Sequence, residues 1–288
     1  MSYGIAIYVL AYFWALILSM CVNRKTSNGI DLVVIIFAVL PASILAIFRG
    51  DVGVDTAIYQ LSISNILAGQ TSLFEPMFVF LVKFLSYFSD NERIIVRIIS
   101  FIVVSLLTYL FCNNKRSIII FLSIIFPIYF YEFTMNTIRV GLALPLIIIS
   151  FKLFHGNRYL AAIFVSVVSI SSHLSTILAG AIQLTTKLKV RAIILLCFVS
   201  AIMGYMVLEY LTKKYAGYSI FFAPEKNSGT GFLYFSLLSI ITFKRFNEIG
   251  NGAVGTYVFF SCVAFLITQY TYAGIRLQSL VLFVLICH

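Results

Sequence analysis

The chain is a succession of apolar stretches long enough to cross a bilayer, and this limits its fold more than any motif does. A helix needs about 20 apolar residues to span about 30 Å of hydrocarbon. Within that layer only helices or closed barrels satisfy the backbone's hydrogen bonds. Apolar runs near 3–22, 30–48, 94–112, 117–134, 138–154, 192–210, 231–246, 253–270 and 277–288 meet the requirement or come close to it. At 61% hydrophobic and 10% charged, the chain leaves no polar stretch that could fold separately. The expected fold is therefore all-α: a polytopic transmembrane helical bundle of about nine to eleven membrane helices, forming a single domain over residues 1–288. The first run has no basic leader, and Arg24 and Lys25 follow it, so it reads as an anchor with its N-terminus outside. The chain stops at His288 within an apolar run, which suggests a truncated C-terminus.

Two stretches do not fit a simple crossing. Residues 74–88 are short and carry Glu75, Pro76 and Lys83; residues 159–186 are too long for one span and too short for two. Basic residues gather on the cytoplasmic side of membrane proteins. That bias is satisfied if 74–88 lies on the outer interface and 159–186 is a broken helical hairpin. Lys115, Arg116, Lys152, Arg158, Lys187, Lys189 and Arg191 then all face inward. An outer-face interfacial segment is expected near 49–92 and an outer loop near 211–231. Broken helices at membrane depth line cavities or are buried in protein. The arginines left outside against the bias are Arg49, Arg93, Arg97, Arg139 and Arg276.

A net charge of +10 would suit a polyanion, but the basic residues sit at the ends of apolar runs, where topology explains them, so no nucleic-acid partner is expected. The five cysteines lie in or beside apolar segments, without metal or disulfide spacing. The three histidines have no second ligand at metal-binding spacing. No metal and no cofactor is expected.

The most polar short stretch is Arg49-Gly-Asp-Val-Gly-Val-Asp-Thr-Ala-Ile-Tyr59, which follows an apolar run. Its two glycines allow tight turns and close backbone approach to a ligand. Arg49 is either a snorkelling terminal arginine or a bidentate phosphate ligand. Asp51 and Asp55 could orient it or touch a sugar hydroxyl. Glu75-Pro76 opens a short helix, where an acid is stabilising on structural grounds alone. Arg139 stands at the start of a span, a costly place for an unpartnered cation, beside helix N-terminal amides that favour anions. His173 lies among Ser171, Ser172 and Ser175 at the expected break; a neutral imidazole there is either a packed residue or a general base. Arg276 is an interfacial anchor or a further phosphate ligand. Tyr59 is one of several outer tyrosines able to stack on a sugar.

Taken in order, Arg49-Gly-Asp-x-Gly-x-Asp55-Thr-x-x-Tyr59, Glu75-Pro76, Arg139-Val-Gly-Leu-Ala, Ser172-His173-x-Ser175 and Arg276-Leu resemble the EpsG family. That family comprises bacterial polysaccharide polymerases related to Wzy, the O-antigen polymerase. Many members carry Arg-Gln where this chain has Arg139-Val140. The resemblance implies a GT-C-like, metal-independent glycosyltransferase of the bacterial cytoplasmic membrane, with its active site facing the periplasm. Donor and acceptor would both be undecaprenyl-diphosphate-linked oligosaccharides in the lipid bilayer. A chain-length regulator is a possible protein partner. In this frame Arg139, Arg49 and Arg276 would hold the diphosphate, together with Asp51, Tyr59 and Glu75 around the substrate. His173 would act as base, with Asp55 as its substitute. An O-antigen ligase, a transporter or flippase of lipid-linked sugars, and a membrane acyltransferase are the competing readings.

Overall fold

The computed structural model describes residues 2–20, 28–53, 55–70, 72, 74–111, 115–185, 230–244, 246–268 and 273–287. The span expected at 192–210, most of the loop expected at 211–231, and Arg24, Lys25, Lys187, Lys189 and Arg191 lie outside the described residues. Among the described residues there are helices and no strands. α1 is Ser2–Met20, α2 Asn28–Ile47, α3 Thr56–Leu67, α4 Pro76–Ser86 and α5 Glu92–Phe111. α6 opens at Lys115–Ile120 and continues in π-helical form through Phe121–Phe130 and Glu132–Asn136. α7 is Ile138–His155, α8 Tyr159–Ser172, α9 Thr176–Thr185, α10 Thr230–Lys244, α11 Phe246–Thr268 and α12 Ala273–Cys287. Among the described residues α5 is the helix long and apolar enough to cross a membrane by itself.

The expected interfacial segment contains one helix more than the sequence suggested. α4 is the short helix anticipated at 74–88, but α3 rises directly from the polar loop and was not foreseen. The stretch 159–186 is interrupted at His173–Ser175, between α8 and α9. α6 departs most from an ordinary span. Pro127 within it lacks a backbone donor, and its ring crowds the preceding turn of an α-helix.

The chain divides into two compact units, Met1–Thr176 and Ile177–His288. In the first, α1 packs on α2, α2 on α5, α5 on α7 and α7 on α8, while α3 and α4 pack on each other and on α5, and α4 also meets α8. Ile95, Ile99, Val103 and Leu107 recur every fourth residue of α5 and are all essentially inaccessible. That spacing makes one buried stripe along a helix. α7 and α8 are joined by hydroxyls rather than by apolar surface alone. Ser150 Oγ donates to the Ala162 carbonyl at 2.8 Å and lies 2.5 Å from Ser166 Oγ, and Ser169 Oγ donates to the Ala143 carbonyl at 2.7 Å. Small hydroxyl residues let membrane helices approach closely and hydrogen-bond across the gap. In the second unit α10, α11 and α12 pack on one another, and α12 is buried on every side from Gln278 to Leu285.

At Gly141, near the start of α7, the backbone of Phe133 in α6 and the side chain of Val103 in α5 leave no room for a side chain. A Cβ there would run into the Phe133 carbonyl oxygen and stand 2.8 Å from Val103 Cγ1, whereas one at Gly255 in α11 would meet nothing within 4 Å. The Phe133 obstacle is backbone and cannot swing aside. Gly141→Ala is expected to lower stability by roughly 1–3 kcal/mol, as overpacking of a filled core does. Gly255→Ala is expected to leave it unchanged or slightly raised. Thermal unfolding of the detergent-solubilised variants measures the contrast.

Candidate active site at the Glu75, Arg139 and His173 junction

Three helix ends meet in the first unit, and each presents one polar side chain. Glu75 caps the N-terminus of α4. Pro76 behind it disfavours helical backbone at the preceding residue, and Glu75 is extended at φ −64°, ψ 149°. Arg139 is the second residue of α7, just after the break at Thr137. His173 follows the last turn of α8 in extended backbone, φ −163°, ψ 124°, which carries its ring off the helix axis.

The Glu75 carboxylate joins the other two. Its Oε2 accepts from Arg139 Nη1 at 2.5 Å, and its Oε1 lies 2.5 Å from His173 Nδ1. Burial works to raise the Glu75 pKa. The hydrogen bond from His173 and the positive charge of Arg139 outweigh it and bring the pKa down to about 2. An ionised carboxylate can only accept, so Nδ1 of His173 carries the proton in that bond. In the neutral ring Nε2 is then left with its lone pair, as an acceptor.

An aromatic wall backs the arginine. The Arg139 guanidinium stands 4.0 Å above the Phe74 ring centroid. Tyr59 packs 5.7 Å from Phe74 and 5.9 Å from Phe78, centroid to centroid. Tyr59 is buried, within electrostatic reach of the Arg139 guanidinium. Burial raises the Tyr59 pKa, so the hydroxyl stays neutral.

Arg49 is held differently. It is 7% exposed. Nη1 donates to Ser100 Oγ at 3.2 Å and to the Thr134 carbonyl at 2.5 Å, and Ser100 Oγ donates to the same carbonyl at 3.0 Å. Thr134 lies in the last turn of α6, where carbonyls lack intrahelical partners and carry partial negative charge. Burial lowers the Arg49 pKa to about 10 against the opposing influence of Tyr59 and Tyr8, so the group is still cationic at neutral pH. Among the described residues no carboxylate pairs with it. Its Nε and Nη2, and Nε of Arg139, are buried without acceptors. Tyr59 lies within electrostatic reach of both arginines.

The remaining sequence candidates are spread more widely. Asp51 is exposed, 3.6 Å from Arg93, and accepts from Gln60 Nε2 at 3.4 Å. Asp55 precedes α3, and its side chain makes no capping bond, though its charge reaches Tyr59. Arg276 is an exposed residue of α12 in the second unit, and the turn expected to precede it at 270–272 lies outside the described residues. Gly50 and Gly53 take φ +63° and +112°, so the loop uses the freedom anticipated from its glycines. At Gly53 a Cβ would stand 2.7 Å from Thr56 Oγ1 and 3.2 Å from Asn136 Oδ1. Sequence reasoning missed Phe74, Ser100 and the Thr134 carbonyl. Phe74 stands directly before Glu75-Pro76, but nothing in the sequence marks Ser100. Glu75 itself, expected at the substrate, spends both oxygens on protein side chains.

Glu75→Gln is expected to cost about 1.5–3 kcal/mol, the range for a hydrogen bond to a charged group. Because folding depresses the Glu75 pKa from its ordinary 4.5 to about 2, this stabilisation is fully present above 4.5 and is lost as pH falls through about 2. Unfolding of wild type and variant compared at neutral pH and at successively more acidic pH measures the narrowing difference.

Searches of curated proteins and of solved structures returned no match. The profile of the EpsG family matches residues 32–287, a span that contains α3 to α5, the junction and the second unit. The chain is a member of the EpsG family, a family of Wzy-type polysaccharide polymerases, and a helical membrane protein.

Proposed function

We propose that the chain is a GT-C-like polymerase that extends a polysaccharide from undecaprenyl-diphosphate-linked units on the periplasmic side of the bacterial cytoplasmic membrane. The observation that supports this most is the junction itself: one carboxylate couples an arginine to a histidine, beside buried guanidinium N–H groups that lack acceptors. Buried donors without partners are costly. A diphosphate offers oxygens to Arg49 Nε and Nη2 and to Arg139 Nε, and an arginine fork suits phosphate geometry.

In the proposed reaction the terminal sugar hydroxyl of the acceptor attacks the anomeric carbon of the donor. A new carbon–oxygen bond forms, the bond from that carbon to the phosphate oxygen breaks, and lipid diphosphate departs with the electron pair. The hydroxyl proton passes to Nε2 of His173, whose ring Glu75 orients through Nδ1. Glu75 thus acts as a positioning residue. Arg139 and Arg49 stabilise the charge that grows on the leaving diphosphate. Tyr59 and Phe74 line the arginine and offer faces to a sugar or prenyl group. Asp55 is the substitute base, while Arg276 and Asp51 serve as outer contacts to the substrate. A chain-length regulator completes the expected set of partners.

Incubation of the purified chain with lipid-linked repeat units tests the reading by the appearance of polymer ladders. Arg139→Ala and His173→Ala are each expected to slow extension by roughly a hundredfold or more while the protein still inserts. Arg49→Ala is expected to fall in the same range. Near-normal ladders from the His173 variant would remove it as the base. A transporter would form no glycosidic bond at all, and a ligase would form none without lipid A core.

A further inference from the structure

A second cationic site lies at the other end of α7. Lys152 is 13 residues beyond Arg139, which at about 1.5 Å per residue sets the two ends about 20 Å apart along one helix. There α5, α7 and the turn into α8 line a half-open cleft of about 370 Å³, formed by Tyr109 and Leu110 from α5, Ile149, Lys152 and Leu153 from α7, and Arg158 from the turn. Among the described residues no carboxylate lines it.

The turn is built to hold Arg158 there. Asn157 adopts φ +60°, the Gly156 N–H donates to the Lys152 carbonyl at 3.1 Å, and the Arg158 N–H reaches back to the Leu153 carbonyl at 3.0 Å. A left-handed residue followed by such a long backward bond is a Schellman closure of a helix C-terminus, here with Asn in place of Gly. It fixes the Arg158 backbone while leaving its side chain exposed. Lys152 Nζ donates to the Leu110 carbonyl at 2.9 Å, next to the end of α5, so that two lining residues are tied together. Tyr109 in the lining is exposed, as are Phe154, Tyr159 and Leu160 next to the lining residues in sequence, the last at 86%. Two cations in a cleft of mixed polar and apolar lining, with exposed aromatic and aliphatic side chains on the flanking residues, match an amphiphile with an anionic head and hydrocarbon tails.

We propose that this cavity binds the phosphodiester headgroup of an anionic phospholipid, in the leaflet opposite the Glu75–Arg139–His173 junction. Arg158 and Lys152 hold the phosphate, and the acyl chains leave along Tyr109 and Ile149. A charge that merely set topology would require neither a cleft shared with a second cation nor a turn closed beneath the arginine. Basic pockets between membrane helices are suited to such headgroups, and each cation near an anionic lipid surface changes binding by roughly fivefold.

The test uses the full chain in phosphatidylcholine nanodiscs containing a minor share of phosphatidylglycerol, with the retained lipid counted by native mass spectrometry. Wild type is expected to enrich phosphatidylglycerol over phosphatidylcholine. Arg158→Gln is expected to reduce that enrichment roughly fivefold and Arg158→Lys to keep most of it. Arg158 is the deciding position, since its side chain is exposed, whereas Lys152→Gln also removes a bond at the end of α5. Equal retention by wild type and Arg158→Gln overturns the proposal. Displacement of phosphatidylglycerol by millimolar inorganic phosphate overturns the lipid assignment in favour of a soluble phosphate. Retention in the presence of phosphate, together with loss in the variant, supports it.

Discussion

One carboxylate decides how the first unit is organised. Glu75 bonds through one oxygen to Arg139 and through the other to His173, so the start of α4, the start of α7 and the end of α8 converge on a single charge. Two of these partners would be expensive alone. A cation at the start of a membrane helix requires a counter-charge or a ligand, and a partly buried carboxylate would otherwise be driven towards its protonated form. Together they hold Glu75 ionised, and its ionisation in turn fixes the tautomer of His173. The short helix α4 is therefore tied electrostatically to the bundle.

The second arginine is stabilised by a different device. Arg49 has no carboxylate beside it among the described residues and is held by Ser100 and the last-turn carbonyl of Thr134. A helix C-terminus can support a cation without cancelling its charge. The result is a buried, still-charged guanidinium with donors to spare. The contrast with Arg139 is plain: one arginine is tied through Glu75 to the histidine and the other keeps buried donors without acceptors. The π-helical course of α6 and the break at Thr137 are what bring the Thr134 carbonyl to this position.

Much of the site was legible in the chain order. The expected topology leaves Arg49 and Arg139 outside against the basic bias and so marks them, and a histidine among hydroxyls at a helix break marks His173. These inferences work because charge in an apolar run is costly enough to require a reason. Glu75 was visible only as a helix-starting acid beside proline. Its double attachment depends on residues 64 and 98 positions away, and no local pattern encodes that. Ser100 lies on an otherwise apolar helix and carries no signal at all. Asp51 looked equivalent to Asp55 in the sequence but pairs with Arg93 in the open.

Taken alone, the sequence determined that the chain is helical and built for a membrane, because apolar length and the need to satisfy backbone hydrogen bonds leave few alternatives. It also determined where the helices break, since Pro76, the glycines of the 49–59 loop and the polar cluster at 171–175 act on their immediate neighbours. Only the tertiary structure decided which charges meet. It made Glu75 the link between Arg139 and His173, gave Arg49 a carbonyl rather than an acid, and set Lys152 and Arg158 over a common cavity. The reason is one of range: apolar patterning and backbone preference are local, whereas a contact between helix ends exists only after the helices between them have packed.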